Sequence, residues 1–137
     1  MTNRNESGNK YPSSFVLILK TYPNNWNIYN DTEKTYRIDS SGSFQVSEGL
    51  FGDEGEDSKS ISKLDLEEIK NLISMLNPKS IPSGKLGSYV SDGSRRTITL
   101  VWGKIEREWN SDNDWGPYNG IVKALIEKII GLDNKED

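Results

Sequence analysis

Apolar positions along the chain fall into blocks with different periods, and each block predicts an element. Ser14-Phe-Val-Leu-Ile-Leu-Lys20 is a continuous apolar run rich in β-formers, the pattern of a strand covered on both faces or lying at the centre of a sheet. Thr35–Asp39 and Ser43–Val46 alternate apolar and polar residues around Ser40-Ser41-Gly42, which predicts a hairpin with Tyr36, Ile38, Phe44 and Val46 on its apolar side. A short strand over Trp26–Asn30 is a further expectation.

The period then lengthens. Leu66, Ile69, Leu72, Ile73 and Leu76 recur at helical spacing and form one stripe, with Pro78 as its stop. Asp65 stands as N-cap with Glu68 completing a capping box, and Leu64 and Ile69 take the positions of a hydrophobic staple.

Arg96–Asn110 returns to a period of two, with Gly103-Lys104 suited to a type II′ turn. Pairing Trp102 with Ile105 gathers Ile98, Leu100, Trp102, Ile105 and Trp109 on one face and leaves Arg107 opposite Leu100. The other face carries Thr97, Thr99, Val101, Glu106 and Glu108. A slip of one residue would invert the two faces, so the register is firm. Ile121, Val122, Leu125, Ile126, Ile129 and Ile130 define a second helix over residues 118–130, with Gly131 as its C′ residue.

Between the blocks lie an acidic loop over Glu48–Lys59, an irregular connection over 78–94 rich in Pro and Gly, and a polar turn at 110–117. The expected fold is α+β: a two-layer sandwich with an antiparallel sheet of four to five strands and both helices packed on one face. Residues 1–13 read as a disordered N-terminal tail, 14–132 as a single α+β domain and 133–137 as a polar C-terminal tail.

Composition narrows the chemistry. The chain has 137 residues and contains no Cys and no His, which removes disulfides, thiolate metal sites, histidine bases and the Ser-His-Asp and Cys-His nucleophile systems. Carboxylate, Lys or Tyr chemistry is what remains for an enzyme. Seventeen basic and 21 acidic residues give a net charge of −4, and the basic ones are scattered, so a nucleic acid is not the expected partner. No apolar run approaches the ~20 residues of a membrane span. Met1–Ser14 is polar and lacks a signal-peptide pattern. A cytoplasmic location fits that pattern, and so does a secreted or lipoprotein form that has shed its signal.

Four constellations are candidate sites. Pro82-Ser-Gly-Lys-Leu-Gly-Ser88 imitates a phosphate loop but has Lys79 where the first Gly belongs, and it follows a helix instead of a strand. Asp53-Glu-Gly-Glu-Asp57 and Asn110-Ser-Asp-Asn-Asp114 gather oxygen donors, yet neither has the Gly and terminal Glu of a calcium loop. Glu106 and Glu108 form a carboxylate pair on the expected solvent face, where such acids keep a sheet soluble. No catalytic, metal or cofactor site is expected from any of these.

The aromatics are more informative. Trp102 and Trp109 belong to the core, whereas Trp26 and Trp115 sit in polar turns near Tyr29 and Tyr118. Rings among hydrogen-bonding side chains suit recognition surfaces, although each ring could instead fold over an end of the sheet. The candidate binding surface is therefore Trp26, Tyr29, Trp115 and Tyr118, together with the acidic residues Asp53, Glu54, Glu56 and Asp57.

The order strand, hairpin, helix (Leu64-Asp-Leu-Glu-Glu-Ile-Lys-Asn-Leu-Ile73), hairpin (Arg96-Thr-Ile-Thr-Leu-Val101) and closing helix resembles the emfourin-type proteins. Those are small bacterial inhibitors of thermolysin-like metalloproteases. The order is also similar to uncharacterised bacterial domains often found as lipoproteins. The resemblance spans roughly residues 14–132 and rests on element order, so no functional residue of the family carries over. It implies an inhibitor. The expected function is thus a non-enzymatic domain that binds another protein, with a carbohydrate or small-ligand binder as the alternative and a carboxylate-dependent hydrolase as the second alternative.

Overall fold

The computed structural model describes residues 12, 14–22, 34–48, 56–87, 95–112 and 114–134. Its strands are β1 (Phe15–Tyr22), β2 (Lys34–Asp39), β3 (Ser43–Glu48), β4 (Glu56–Ser60), β5 (Gly84–Lys85), β6 (Arg95–Trp102) and β7 (Ile105–Ser111). The helices are α1 (Lys63–Leu76) and α2 (Asn119–Asp133). All seven strands form one sheet in the order β4-β3-β2-β1-β6-β7-β5. Every neighbouring pair is antiparallel except β5 with β7.

The continuous apolar run becomes the central strand, not one covered on both faces. Phe15, Leu17 and Leu19 are buried, while Val16 and Ile18 on the opposite face are half-exposed. The same parity holds across the sheet: Tyr36, Ile38, Phe44, Val46, Ile98, Leu100, Trp102 and Trp109 are buried and join one core with the stripes of both helices. Tyr36 stacks on Phe44 with ring centroids 6.3 Å apart, and Phe15 meets Trp102 at 5.6 Å. These cross-strand aromatic contacts lie on the helix side of the sheet.

The expected register of the second hairpin is the observed one: Trp102 pairs with Ile105, Leu100 with Arg107 and Ile98 with Trp109. Gly103 takes φ +65°, the positive value that the first position of its turn requires. Arg107, the charge on the apolar face, is accommodated by reaching out of the sheet. Its Nε and Nη2 donate to the carbonyls of Pro78 and Lys79, at 3.1 and 3.3 Å, just beyond α1.

The sheet is mixed and seven-stranded, wider than the four to five antiparallel strands expected. The additions, β4 and β5, contain no large apolar side chain, so hydrophobic periodicity was silent about them. Residues Glu56–Ser60 of the expected acidic loop pair with β3 through main-chain bonds. Lys59 adds to this by laying its amine 5.9 Å over the Phe44 ring and donating to the Leu132 carbonyl at 2.8 Å. Gly84–Lys85 bridges β7 from the irregular connection, which is itself fastened where Trp109 Nε1 donates to the carbonyls of Ile81 and Pro82.

Helix starts also differ from expectation. The N-cap of α1 is Ser62, whose hydroxyl accepts from the Asp65 amide at 3.0 Å, so Asp65 is the third helical residue and not the cap. Leu64 is consequently 77% exposed, and the staple positions fall instead on the partly buried Ile61 and Leu66. Asp65 is buried because it turns inward: Lys128 of α2 donates to its carboxylate at 2.7 Å and to Glu68 at 2.8 Å. The left-handed Asn77 ends α1 before Pro78. Helix α2 passes through Gly131 and ends at Asp133, one turn later than expected. The extra turn buries Leu132 and carries Asp133 to Lys34, 2.9 Å away, which outweighs the poor helix propensity of Gly. Asp133 therefore belongs to the fold and not to the C-terminal tail. No helix among the described residues is long and apolar enough to cross a membrane.

The clasp between the helices makes a testable contribution. Hydrogen bonds from Asp65 and Glu68 raise the Lys128 pKa above its ordinary 10.5, against a smaller opposing effect of burial. A raised folded-state pKa means that the clasp stabilises fully below pH 10.5 and that this contribution is lost as pH climbs through the folded value. Lys128→Met is expected to lower stability by about 1–2 kcal/mol at pH 7, because the buried Asp65 loses its charge-assisted bond to Lys128. Urea unfolding of both proteins should show the deficit shrinking as the pH climbs above 10.5. A deficit independent of pH would mean that the charge of Lys128 is not what stabilises the clasp.

Candidate functional site

Antiparallel register determines which chain segments share an end of the sheet. Tyr22, Lys34, Glu48, Glu56, Arg95 and Ser111 all lie at one end. The connections 23–33, 49–55, 88–94 and 112–118 accordingly all attach there. The opposite end is closed by Ser40-Ser41-Gly42, Gly103-Lys104 and the Ile61-Ser62 entry to α1. From β4 to β6 the long-loop end spans four inter-strand gaps, roughly 19 Å at ~4.8 Å each. This asymmetry, with long connections on one rim and tight turns on the other, is how a rigid sheet presents binding loops.

Two ion clusters frame that rim. On the β2 side Lys34 bridges Asp133 at 2.9 Å and Glu48 at 3.5 Å, which joins the end of α2 to the strand ends where segment 23–33 finishes and segment 49–55 begins. The Asp133 hydrogen bond raises the Lys34 pKa, so the amine stays charged. Two cations, Lys34 and Lys59, thus meet the carbonyl-rich C-terminus of α2, where a helix dipole favours positive charge. On the β7 side the buried Asp112 accepts from Lys85 at 3.2 Å and lies 3.9 Å from Arg95, so the strand ends flanking 88–94 converge on one carboxylate. Lys85, the lysine of the phosphate-loop look-alike, is committed to that carboxylate.

The polar turn after β7 is organised by its own side chains. Ser111 Oγ donates to the Asp114 carbonyl and accepts from its amide. Asp114 Oδ1 accepts from the Gly116 amide and Asn119 Nδ2, and Asn119 Oδ1 accepts from the Trp115 amide at 2.7 Å. The donor set compared with a calcium loop is occupied in this way. Among the described residues no three acidic side chains converge as metal ligands.

This network turns Trp115 inward. It is fully buried at 0% exposure, in the same cluster as Trp109, and corrects the expectation that it lines a binding surface. The ring follows the alternative anticipated for it, packing over the sheet end, because the side-chain bonds of Asp114 and Asn119 fix the backbone on both sides. Tyr118 is half-buried and packs against the same core. Trp26, Tyr29, Asp53 and Glu54 lie outside the described residues, as does the expected strand at 26–30, while Glu56 and Asp57 occupy β4. The strand ends flanking Trp26 and Tyr29 therefore stand beside those flanking Asp53 and Glu54. Sequence reasoning missed the framing residues. Extending the Trp102–Ile105 register would have set Arg96 opposite Ser111 and so brought Arg95 near Asp112. No local signal announces Lys34 with Asp133, which are 99 residues apart.

Glu106 and Glu108 are exposed on the helix-free face beside Val101 and Thr99. A shallow depression along α1, lined by Leu64, Glu67, Glu68 and Asn71, has its acids tied to Lys70 and Lys128. The chain matches no protein-family model and no curated protein.

Two substitutions test the frame. A Cβ on Gly87 (φ +78°) would meet the Asp114 carbonyl oxygen at 1.7 Å, a backbone atom that cannot step aside. Gly87→Ala is expected to cost roughly 2 kcal/mol or more, read as a lowered urea midpoint. Trp115→Ala is expected to cost about 3–5 kcal/mol, as for other buried aromatics. A Trp115→Ala protein of unchanged stability would show that the ring is not part of the core.

Proposed function

We propose that the chain is a non-enzymatic domain that binds another protein through the long-loop end of its sheet, in the manner of an inhibitor or antagonist. The observation supporting this reading is that the described strand ends from which 23–33, 49–55 and 88–94 depart share one rim of the sheet. The sequence places the aromatic residues Trp26 and Tyr29 in the first of these segments and the acidic residues Asp53 and Glu54 in the second. Aromatic anchors beside charge are the usual composition of a protein-recognition patch. The resemblance to emfourin-type inhibitors points to the same class, and the absence of His and Cys removes the commonest catalytic alternatives. The carbohydrate-binding alternative keeps Trp26 and Tyr29 but loses Trp115 to the core.

The test is capture from an extract of the native host by immobilised wild-type protein, by Trp26→Ala/Tyr29→Ala and by Asp53→Asn/Glu54→Gln. One or more proteins held by the wild type should be lost or weakened at least about tenfold by the aromatic variant, since anchor truncations cost about 1.4 kcal/mol or more. The acid-neutralised variant should bind more slowly and with weaker dependence on salt. Retention of every captured protein by both variants would overturn the reading. A glycan-induced shift in tryptophan fluorescence would favour the carbohydrate binder instead.

A further inference from the structure

The helix-free face of the sheet is ordered in rows that run across the strands. The middle row passes from Arg37 on β2 through Ile18 and Thr99 to Glu108 on β7. The row nearer the tight turns passes from Asp39 through Val16 and Val101 to Glu106. Both helices pack on the other side, and Val16, Ile18 and Val101 stay half-exposed at the centre of this face.

Charge on the face is segregated to its two sides. On the β2 side Arg37 is 38% exposed and gives only Nη1 to Asp39, so its Nε and Nη2 have no partner among the described residues. Lys20, diagonal to it on β1, is exposed and likewise without a partner among them. On the β7 side the carboxylates of Glu106 and Glu108 are exposed, and no described residue pairs with either. Three inter-strand gaps, roughly 14 Å, separate β2 from β7, too far for the two sides to neutralise one another within one copy. An apolar centre between unneutralised charges of opposite sign is complementary to itself.

We propose that this face takes a second copy of the chain: two sheets stack face to face about a two-fold axis that runs along the strands between β1 and β6. That axis lays β7 of each copy over β2 of the other and β6 over β1. Arg37 then faces Glu108 of the second copy, Val16 meets Val101 and Ile18 meets Thr99, each contact made twice. Stacked sheets lie about 10 Å apart, a gap that an Arg and a Glu side chain bridge together. Asp39, which the axis sets near Glu106, is already neutralised by Arg37 and bonded by Ser41. A two-fold axis lying across the strands would instead stack Arg37 on Arg37 and Glu108 on Glu108, so the charges select the first arrangement. Five overlapping strands of about five residues cover roughly 400 Å² on each copy, a small interface, and the dimer forms between roughly 10 µM and 1 mM. Because the axis follows the strands, the long-loop rims of both copies face the same way.

Sedimentation velocity across that range tests the proposal. The wild type should shift from monomer to dimer. Val101→Lys puts an ammonium at the centre of the contact, while in the monomer that amine has Glu106 beside it on β7. It should weaken association at least about tenfold with an unchanged circular dichroism spectrum. Arg37→Glu and Glu108→Arg proteins should each stay monomeric, yet dimerise when mixed, because the mixed pair restores both Arg–Glu contacts. Restoration on mixing also shows that neither variant is simply unfolded. Three results would overturn the proposal: a wild type that remains monomeric at about 1 mM, a Val101→Lys protein that associates like the wild type, or folded charge variants that fail to pair when mixed. Each would leave the face to a partner of another kind.

Discussion

Pairing of β1 with β6 joins the first and sixth strands in chain order, and every other placement in the molecule follows from it. Phe15 opposite Trp102, Leu17 opposite Leu100 and Leu19 opposite Ile98 put three layers of apolar residues on one side of the sheet centre. Because side chains alternate along a strand, that choice dictates which face each outer strand offers and therefore where both helices lie. The closure entropy of the long loop is offset only when the helices cover these layers, so the central pair and the helix stripes form as one cooperative unit. The residues buried on α2, namely Val122, Leu125, Ile126, Ile129 and Leu132, each contribute ~1.5–3 kcal/mol to that covering.

Features that this apolar layer decides were legible in the sequence. The register of the second hairpin, the stripes of both helices and the buried faces of β2 and β3 follow from periodicity alone, whereas the unbroken apolar run of β1 does not say which of its faces is buried. What main-chain bonds or single polar contacts decide was not. Strand β4 carries no apolar residue, α2 passes Gly131 because Leu132 and Asp133 find partners far away in sequence, and Ser62 takes the cap because Asp65 is drawn inward by Lys128. Trp115 is the clearest case. Its neighbours are Asn, Asp and Gly, which locally read as an exposed turn, but those side chains bond one another and leave the ring facing the core. Polar composition described the surface of the turn and said nothing about the direction of its one large residue.

The same polar contacts set the stiffness of the candidate rim. Lys34 with Glu48 and Asp133, and Asp112 with Lys85 and Arg95, sit on the strand ends from which the connections depart. Partly buried ion pairs of this kind add little to global stability, since desolvation offsets much of their attraction. Their effect is positional. By holding strand ends on both sides of the sheet they reduce the conformational freedom that a bound partner would otherwise have to quench, which is where pre-organisation raises affinity.

The half of the sheet built from β2, β3 and β4 is held by the core contacts of Tyr36, Ile38, Phe44 and Val46 and by further ties at its margins. On one side it is bonded to β1, and above it Lys34 and Lys59 grip the last turn of α2. Both lysines lie where the helix dipole is negative, so each contact is worth more than an ordinary surface pair, yet each depends on the final turn that Gly131 weakens. Fraying of that turn would release Lys59 from Leu132 and loosen β4 and β3 before any central strand is disturbed, since partial opening proceeds from the least buried contacts. Strand β4 and the end of β3 at Glu48 therefore share one mechanical support. A partner that tightened the rim around Glu48 would also steady β4 through Lys34, Asp133 and the last turn of α2.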